Sequence, residues 1–228
     1  MIRTSIIIPT LDEAAVIRTT LDQLQPLRAQ ENEVIVVDGG SRDGTPDVAA
    51  PLADLVLRAP RGRASQMNCG AASASGDIVL FLHADTLLPP DAARLISEGL
   101  AGSGRCWGRF DVRIEGRHPL LAVVARFMNL RSRLTHIATG DQAMFVRRAA
   151  FDAVGGFAPV PLMEDVDLSR RLKRCSAPLC LRAKVVTSGR RWESRGVVRT
   201  ILLMWWLRLR YFLGASPDRL ARLYNLPR

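Results

Sequence analysis

Three short apolar runs within residues 1–85 each end in acidic and small polar side chains. Ser5-Ile-Ile-Ile-Pro9 empties into Thr10-Leu11-Asp12-Glu13, and Val34-Ile-Val-Val37 empties into Asp38-Gly39-Gly40-Ser41-Arg42-Asp43-Gly44-Thr45. The third, Ile78-Val-Leu-Phe-Leu82, runs into His83-Ala84-Asp85. Such runs predict buried strands, and ligands in open α/β sheets bind outside the carboxyl ends of those strands. Between them the period turns helical. Ile17, Leu21 and Leu24 share one helix face before Pro26, Pro46 opens a short helix where its missing N–H is harmless, and Arg61 to Ser75 reads as a helix ended by Gly76. Asp54 to Leu57 reads as a further short strand, and Pro89-Pro90 as another helix start. This β-then-α order predicts an α/β fold, a mainly parallel sheet with right-handed crossovers and helices on its faces.

The second half is less regular. Cys106 to Ile114 alternates weakly, with Trp107, Arg109, Asp111 and Arg113 set against Cys106, Phe110, Val112 and Ile114. Leu120 to Leu130 reads as a helix, Ala143 to Val146 as a strand, Gly155-Gly156-Phe157 as a turn and Val166 to Arg174 as a helix. Val197 to Leu213 is strongly apolar, but its uncharged run from Thr200 to Leu207 is far short of the roughly 20 residues of a crossing helix. Ser216-Pro217-Asp218 starts a last short helix through Leu223.

At 228 residues the chain has room for one sizeable α/β domain, expected over 1–192, followed by a basic amphipathic helical extension over 193–228. The net charge of +10 is unevenly placed: Arg170 to Arg228 holds 15 Lys/Arg against 2 Asp/Glu, whereas residues 1–169 hold 17 against 20. A basic face with interleaved Trp and Leu suits an anionic membrane surface, nucleic acid competes by charge alone, and a merely solvated basic face is the bland alternative. The first strand begins almost at Met1, which leaves no room for a signal peptide and points to the cytoplasm. Cysteines at 69, 106, 175 and 180 have neither zinc nor disulfide spacing, so reduced thiols are expected.

Each chemical motif has a bland alternative. Asp38-Gly39-Gly40-Ser41 gives a carboxylate able to accept from a base or ribose, or simply a turn. Arg61-Gly62-Arg63 ahead of a helix suits a diphosphate, or is basic for solubility. In His83-Ala84-Asp85 alternate side chains face one pocket: Asp85 can take a hard divalent cation and His83 can add a second contact, or the histidine is satisfied at the sheet edge. Met163-Glu164-Asp165-Val166-Asp167 places three acids at a helix start, where they complement the helix dipole or supply a general base.

In their order along the chain these motifs, with Gly140-Asp141-Gln142, resemble glycosyltransferase family 2 over about residues 2–192. The resemblance implies a GT-A fold, a nucleotide-sugar donor and an inverting mechanism. By position, Pro9, Thr10, Leu11 and Glu13 would line the nucleotide pocket, and Asp38 with Gly39 and Ser41 would bind base or ribose. Arg61, Arg63, Met67 and Asn68 would lie near the donor, together with His83 and Ala84. Asp85 matches the last acid of the family's DXD motif and would coordinate manganese or magnesium on the diphosphate. Asp165 matches the catalytic base, with Glu164 orienting it or the acceptor. Gly140, Asp141 and Gln142 resemble the acceptor-side loop, and Arg190-Arg191-Trp192 a truncated QxxRW motif. His83 replaces the usual first acid of DXD, and an imidazole contact would tilt preference toward manganese. Ser188 replaces the glutamine of QxxRW, so one sugar per encounter is expected.

The expected donor is UDP- or GDP-linked, and nucleic acid is not expected as a partner. For the extension, two readings stand: an interfacial or dimer-forming helix that brings the site to a lipid-linked acceptor, or a helix packed on the sheet with both tryptophans buried. A nucleotidyltransferase, and a nucleotide-sugar sensor or membrane scaffold without turnover, are the rival functions.

Overall fold

A computed structural model describes residues 2–225. The first half is the expected β-α alternation: β1 (Thr4–Thr10), α1 (Ala14–Arg28), β2 (Glu33–Asp38), α2 (Thr45–Ala49), β3 (Leu55–Arg58), α3 (Arg63–Ser73) and β4 (Ile78–Phe81). These strands lie parallel in the order β3-β2-β1-β4, with Thr10 level with Asp38 and Ile7 level with Phe81. Their side chains alternate between two cores. Ile6, Ile8, Val34, Val36 and Leu80 meet α1 through Ile17, Leu21 and Leu24, while Ile7, Ile35, Val37, Val79 and Phe81 meet α3 through Ala64, Met67 and Ala71. Gly70 lets α3 sit close on the sheet, since a Cβ there would lie 2.5 Å from Ile7. Pro26 does not end α1: the helix continues to Arg28, because Leu27 is anchored in the core and one missing backbone bond near a helix end is tolerated.

The second half is mixed rather than parallel. It contains β5 (Thr86–Leu87), α4 (Ala92–Ser103), β6 (Trp107–Glu115), α5 (Leu120–Thr135), β7 (Met144–Arg147), α6 (Arg148–Ala153), α7 (Glu164–Leu172) and β8 (Leu179–Ser188). The sheet continues β4-β7-β6-β8-β5, with only the β6–β8 pair parallel. Three helices follow: α8 (Arg190–Arg195), α9 (Val197–Phe212) and α10 (Pro217–Asn225).

Arg109 and Asp111, expected on the polar face of a strand, are buried. Strand β6 is paired on both sides, so the charges are neutralised internally: the Arg109 guanidinium donates to Asp111, and Arg133 of α5 donates to both Asp111 oxygens at 2.7 and 2.9 Å. Asn129 bonds the Val112 backbone in both directions beside an irregularity in the β6–β8 ladder. Helix α9 also departs from the simple packed reading. It packs through Val197, Thr200 and Leu207, yet Trp205 and Trp206 stay 62% and 44% exposed.

Candidate active site

The connection reverses direction at β1: the chain moves outward to β2 and β3, then returns to β4 on the other side. Such a switch point leaves a crevice at the strand ends. Here it is a cleft of about 380 Å³, walled by the β1 end (Pro9, Thr10, Leu11, Glu13), the α3 entrance (Arg61, Gly62, Arg63) and the β4 end (His83, Ala84, Asp85). The opposite wall brings Gly140, Asp141, Glu164 and Asp165, with Arg191 and Trp192 at its rim.

The β1 and β2 ends are stitched together by backbone. Asp38 is fully buried, and its carboxylate accepts from the backbone N–H of Gly40 and Ser41 at 2.9 and 3.0 Å and from the Ser41 hydroxyl. Arg42 N–H donates to Asp12 at 2.8 Å, and the amides of Glu13 and Ala14 donate to Thr45 and Asp43 at 2.9 Å. The Thr45 hydroxyl and the Ala14 amide hold Asp43 below the usual carboxylate range. Asp38, Gly39 and Ser41 therefore shape the loop from behind and do not line the cleft. Met67 lies in the α3 core, Asn68 clamps the Phe157 backbone at 2.8 and 2.9 Å, and Gln142 is buried, bonding Ser132 at 3.2 Å. None of these three lines the cleft.

Asp85 does face the cleft, and its carboxylate has no hydrogen-bond partner among the described residues. Ser188 at the end of β8 donates its N–H to the Asp85 carbonyl at 3.2 Å. No cluster of three His, Cys, Asp or Glu side chains stands ready to hold a metal among the described residues. A single free carboxylate fits a hard cation only where other oxygens complete the shell, since magnesium sites commonly use one or two carboxylates plus phosphate and water.

His83 lines the same cleft but is engaged with its opposite wall. Its Nδ1 lies 3.2 Å from Asp141, and Gly140 sits against the ring so closely that a Cβ there would collide with Nε2. His83 thus ties the β4 end to the Gly140–Gln142 turn. Desolvation in the cleft raises the Asp141 carboxyl, but the His83 hydrogen bond and the charges of His83, Arg63 and Arg191 outweigh it and hold the group at about 2.

Asp165 opens α7. Its Oδ2 accepts from Gly140 N–H at 3.0 Å and its Oδ1 from Val166 N–H at 2.7 Å, which leaves each oxygen a lone pair for a further donor. Burial, and then the Asp165 charge, raise the Glu164 carboxyl against the pull of Arg63. Arg63 is pulled down by burial but ends raised, because Glu164, Tyr224, Asp141 and Asp165 surround it. Met163, which lines the cleft, has a φ of 68°, and Asp12 (54°) and Ala143 (45°) stand within two residues of lining positions, whereas Glu31 and His136, with φ of 64° and 58°, are not lining residues. Such strain clusters where surrounding structure over-determines a geometry.

Several lining residues were not legible in the sequence. Gln66 donates to the carbonyls of Thr10 and Val37, both at 2.8 Å, and pins the first two strand ends. A polar side chain on the buried face of α3 was the available signal. Thr200, Met204 and Arg208 recur every fourth residue and give α9 a cleft-facing stripe, while Tyr224 of α10 receives a 2.7 Å hydrogen bond from Arg191. The segment after residue 192 therefore forms part of the site wall.

A parallel β-α half with a carboxylate-lined switch-point cleft, extended by a mixed half that returns a second acid to it, is a GT-A architecture. A mannosyltransferase from Pyrobaculum calidifontis, solved with GDP-Man and Mn2+, superposes with a TM-score of 0.63 at 24% identity, over 81% of this chain and 56% of that one. S. aureus TarS, solved with UDP, superposes with a TM-score of 0.67 at 18% identity, over 82% of this chain and 60% of that one.

The family follows from sequence: residues 5–155 match the family described as Glycosyl transferase family 2, and the chain belongs to it. It is 28% identical over 198 residues to the probable glycosyltransferase YdaM of Bacillus subtilis, covering 75% of this chain and 46% of that protein. The chain thus spans less than half the length of that relative.

Proposed function

We propose that this chain transfers a sugar from a nucleotide-sugar donor to an acceptor hydroxyl with inversion at the anomeric carbon. The observation that carries this reading is the meeting of Asp85, from the β4 end, and Asp165, from the start of α7, in one cleft with Arg61 and Arg63. The donor lies along the β1 and β4 ends, with its diphosphate near Asp85 and the two arginines. Asp85 would hold a divalent cation there, which when bound neutralises charge on the departing diphosphate. Asp165 takes the proton of the acceptor hydroxyl as that oxygen attacks. The Gly140 and Val166 amides fix the carboxylate, and Glu164 and Arg63 set the field around it.

The bilayer-facing reading of α9 rests on its two sides. Thr200, Met204 and Arg208 face the cleft, while Val198, Leu202, Trp205, Leu209 and Phe212 lie exposed along the outside. Helix α5 adds a second exposed stripe, Val123, Phe127, Leu130 and Leu134. Beside them Arg210, Arg219 and Arg222 line a shallow recess next to Trp206, and Arg210 stacks 5.7 Å from the Trp206 ring. Among the described residues no helix is long and apolar enough to cross a membrane. An apolar stripe edged by arginines suits the surface of an anionic bilayer, and a lipid-linked acceptor reaching the cleft from there.

Asp165→Asn tests the chemistry. Transfer should fall by roughly 10²- to 10⁴-fold while donor affinity stays within about twofold. Equal loss of both would make Asp165 a binding residue instead.

A further inference from the structure

Most charges in the cleft are matched. Arg63 lies among Glu164, Asp141 and Asp165, Arg190 pairs with Glu13 at 3.1 Å, and Arg191 sits near Asp141 and bonds Tyr224. Asp85 and Arg61, on the donor-side elements, have no such partner among the described residues, and away from those elements Arg131 and Arg208 have none either. Arg208, the last residue of the α9 cleft stripe, makes no ion pair or side-chain hydrogen bond among the described residues.

Arg131 stands behind it on α5. Its Nε and Nη2 are buried and have no hydrogen-bond partner among the described residues. Arg109, whose charge also repels Arg131, is itself matched by Asp111, which Arg133 bonds as well. Burial, and then repulsion from Arg208, lower the Arg131 guanidinium to about 10, and only Asp165 pulls the other way. Arg208 lines the cleft and Arg131 lies sealed behind that lining. Leaving such donors unmatched is costly, so an anion that binds Arg208 and draws the Arg131 guanidinium toward the cleft would complete both.

We propose that Arg131 and Arg208 seat a phosphate group carried by the acceptor, next to Asp165. This deepens the glycosyltransferase reading and rests on it. Neither arginine belongs to the β1, α3 or β4 elements assigned to the donor. Guanidinium forks match phosphate oxygens in pairs, and two of them suit a dianion better than a single carboxylate. An acceptor held by its phosphate at this point presents a neighbouring hydroxyl to Asp165. The phosphate can belong to a lipid headgroup or to a soluble phosphorylated acceptor.

The test uses the full chain and inorganic phosphate, titrated by calorimetry with and without a saturating nucleoside diphosphate and Mn2+. Phosphate should bind in both conditions. Arg208→Gln should weaken it by about tenfold, as expected for loss of one charge-assisted contact, with nucleotide affinity unchanged. Arg131→Lys should weaken it less, and if that variant does not fold, Arg208→Gln decides alone.

Unchanged phosphate affinity in Arg208→Gln would overturn the proposal, as would one-for-one displacement of phosphate by the nucleotide, which would place the anion in the donor site. Failure of wild type to bind any nucleotide, with Arg208-dependent phosphate binding intact, would sink the donor reading and leave the anion seat standing. Flotation on phosphatidylcholine vesicles with and without phosphatidic acid then assigns the source. Arg208-dependent flotation supports a lipid headgroup, and Arg208-independent flotation with Arg208-dependent binding of a soluble phosphate monoester supports a soluble acceptor.

Discussion

The wall of the cleft at the β1 and β4 ends, backed by β2, is held by backbone, whereas the wall from α7 and α9, backed by α5, carries the charge. On the first wall, amides and carbonyls at the strand ends are bonded by Asp12, Asp38, Asp43, Thr45 and Gln66, so its shape follows from the sheet register. On the second, buried Arg109 and Asp111 are joined by half-buried Arg133 behind the lining residues, and Arg131 and Arg208 stand unmatched. The lesson is that the two walls fail differently: the first by losing single hydrogen bonds, the second by leaving a buried charge without a partner.

The largest effect should come from the charged wall. Asp111→Ala leaves Arg109 buried without its carboxylate and should cost about 3–5 kcal/mol in denaturant unfolding, since breaking one side of a buried pair strands the other charge. A loss near that of an exposed pair would mean that the network is not what holds α5 to β6.

On the backbone wall the expected effect is smaller. Gln66→Ala removes donors from the Thr10 and Val37 carbonyls, which keep other partners in the Gly39 amide and the Thr10 hydroxyl, and should cost about 1–2 kcal/mol. Donor affinity should weaken with it, because the β1 end loses its fixed position. Stability loss at constant donor affinity would separate Gln66 from the site.

The link between the walls should show in pH. The Asp141 carboxyl is depressed from 3.8 to about 2, so its contribution to stability is fully present above about pH 4 and is lost as pH falls through about 2. Melting of wild type against Asp141→Asn should differ most above that window and converge below it. A difference that grows as pH falls would have the wrong sign.

The smallest stability effect belongs to the outer face. Trp205→Ser with Trp206→Ser should change unfolding free energy by no more than about 0.5 kcal/mol, since both rings are largely outside the core, while weakening flotation on anionic vesicles. A large drop in stability with unchanged flotation would make these rings packing residues.

The same contrast separates what the amino-acid sequence encodes locally from what it does not. The first wall was legible because strand period and turn chemistry are local: the β1, β2 and β4 ends with Glu13, Asp38 and Asp85 stand in sequence as they stand at the sheet edge. Their depth was not, and Asp38 turned out to shape its loop from within. On the second wall Asp165 and Asp141 were legible as motifs, but Arg131, Arg208 and Tyr224 were not. Their places depend on how α5, α9 and α10 pack across the mixed half of the sheet, and no local pattern encodes that. Arg109 misled for the same reason, since alternation in β6 says nothing about the helix that covers it.

The most direct test of a donor site at the β4 end is calorimetric titration of wild type and Asp85→Asn with a panel of nucleotide sugars in manganese, in magnesium and in chelator. Wild type should bind a donor with metal-dependent affinity, and Asp85→Asn should remove the metal dependence. Binding of no donor with either metal, or binding equally tight in chelator and in Asp85→Asn, would contradict a donor site there.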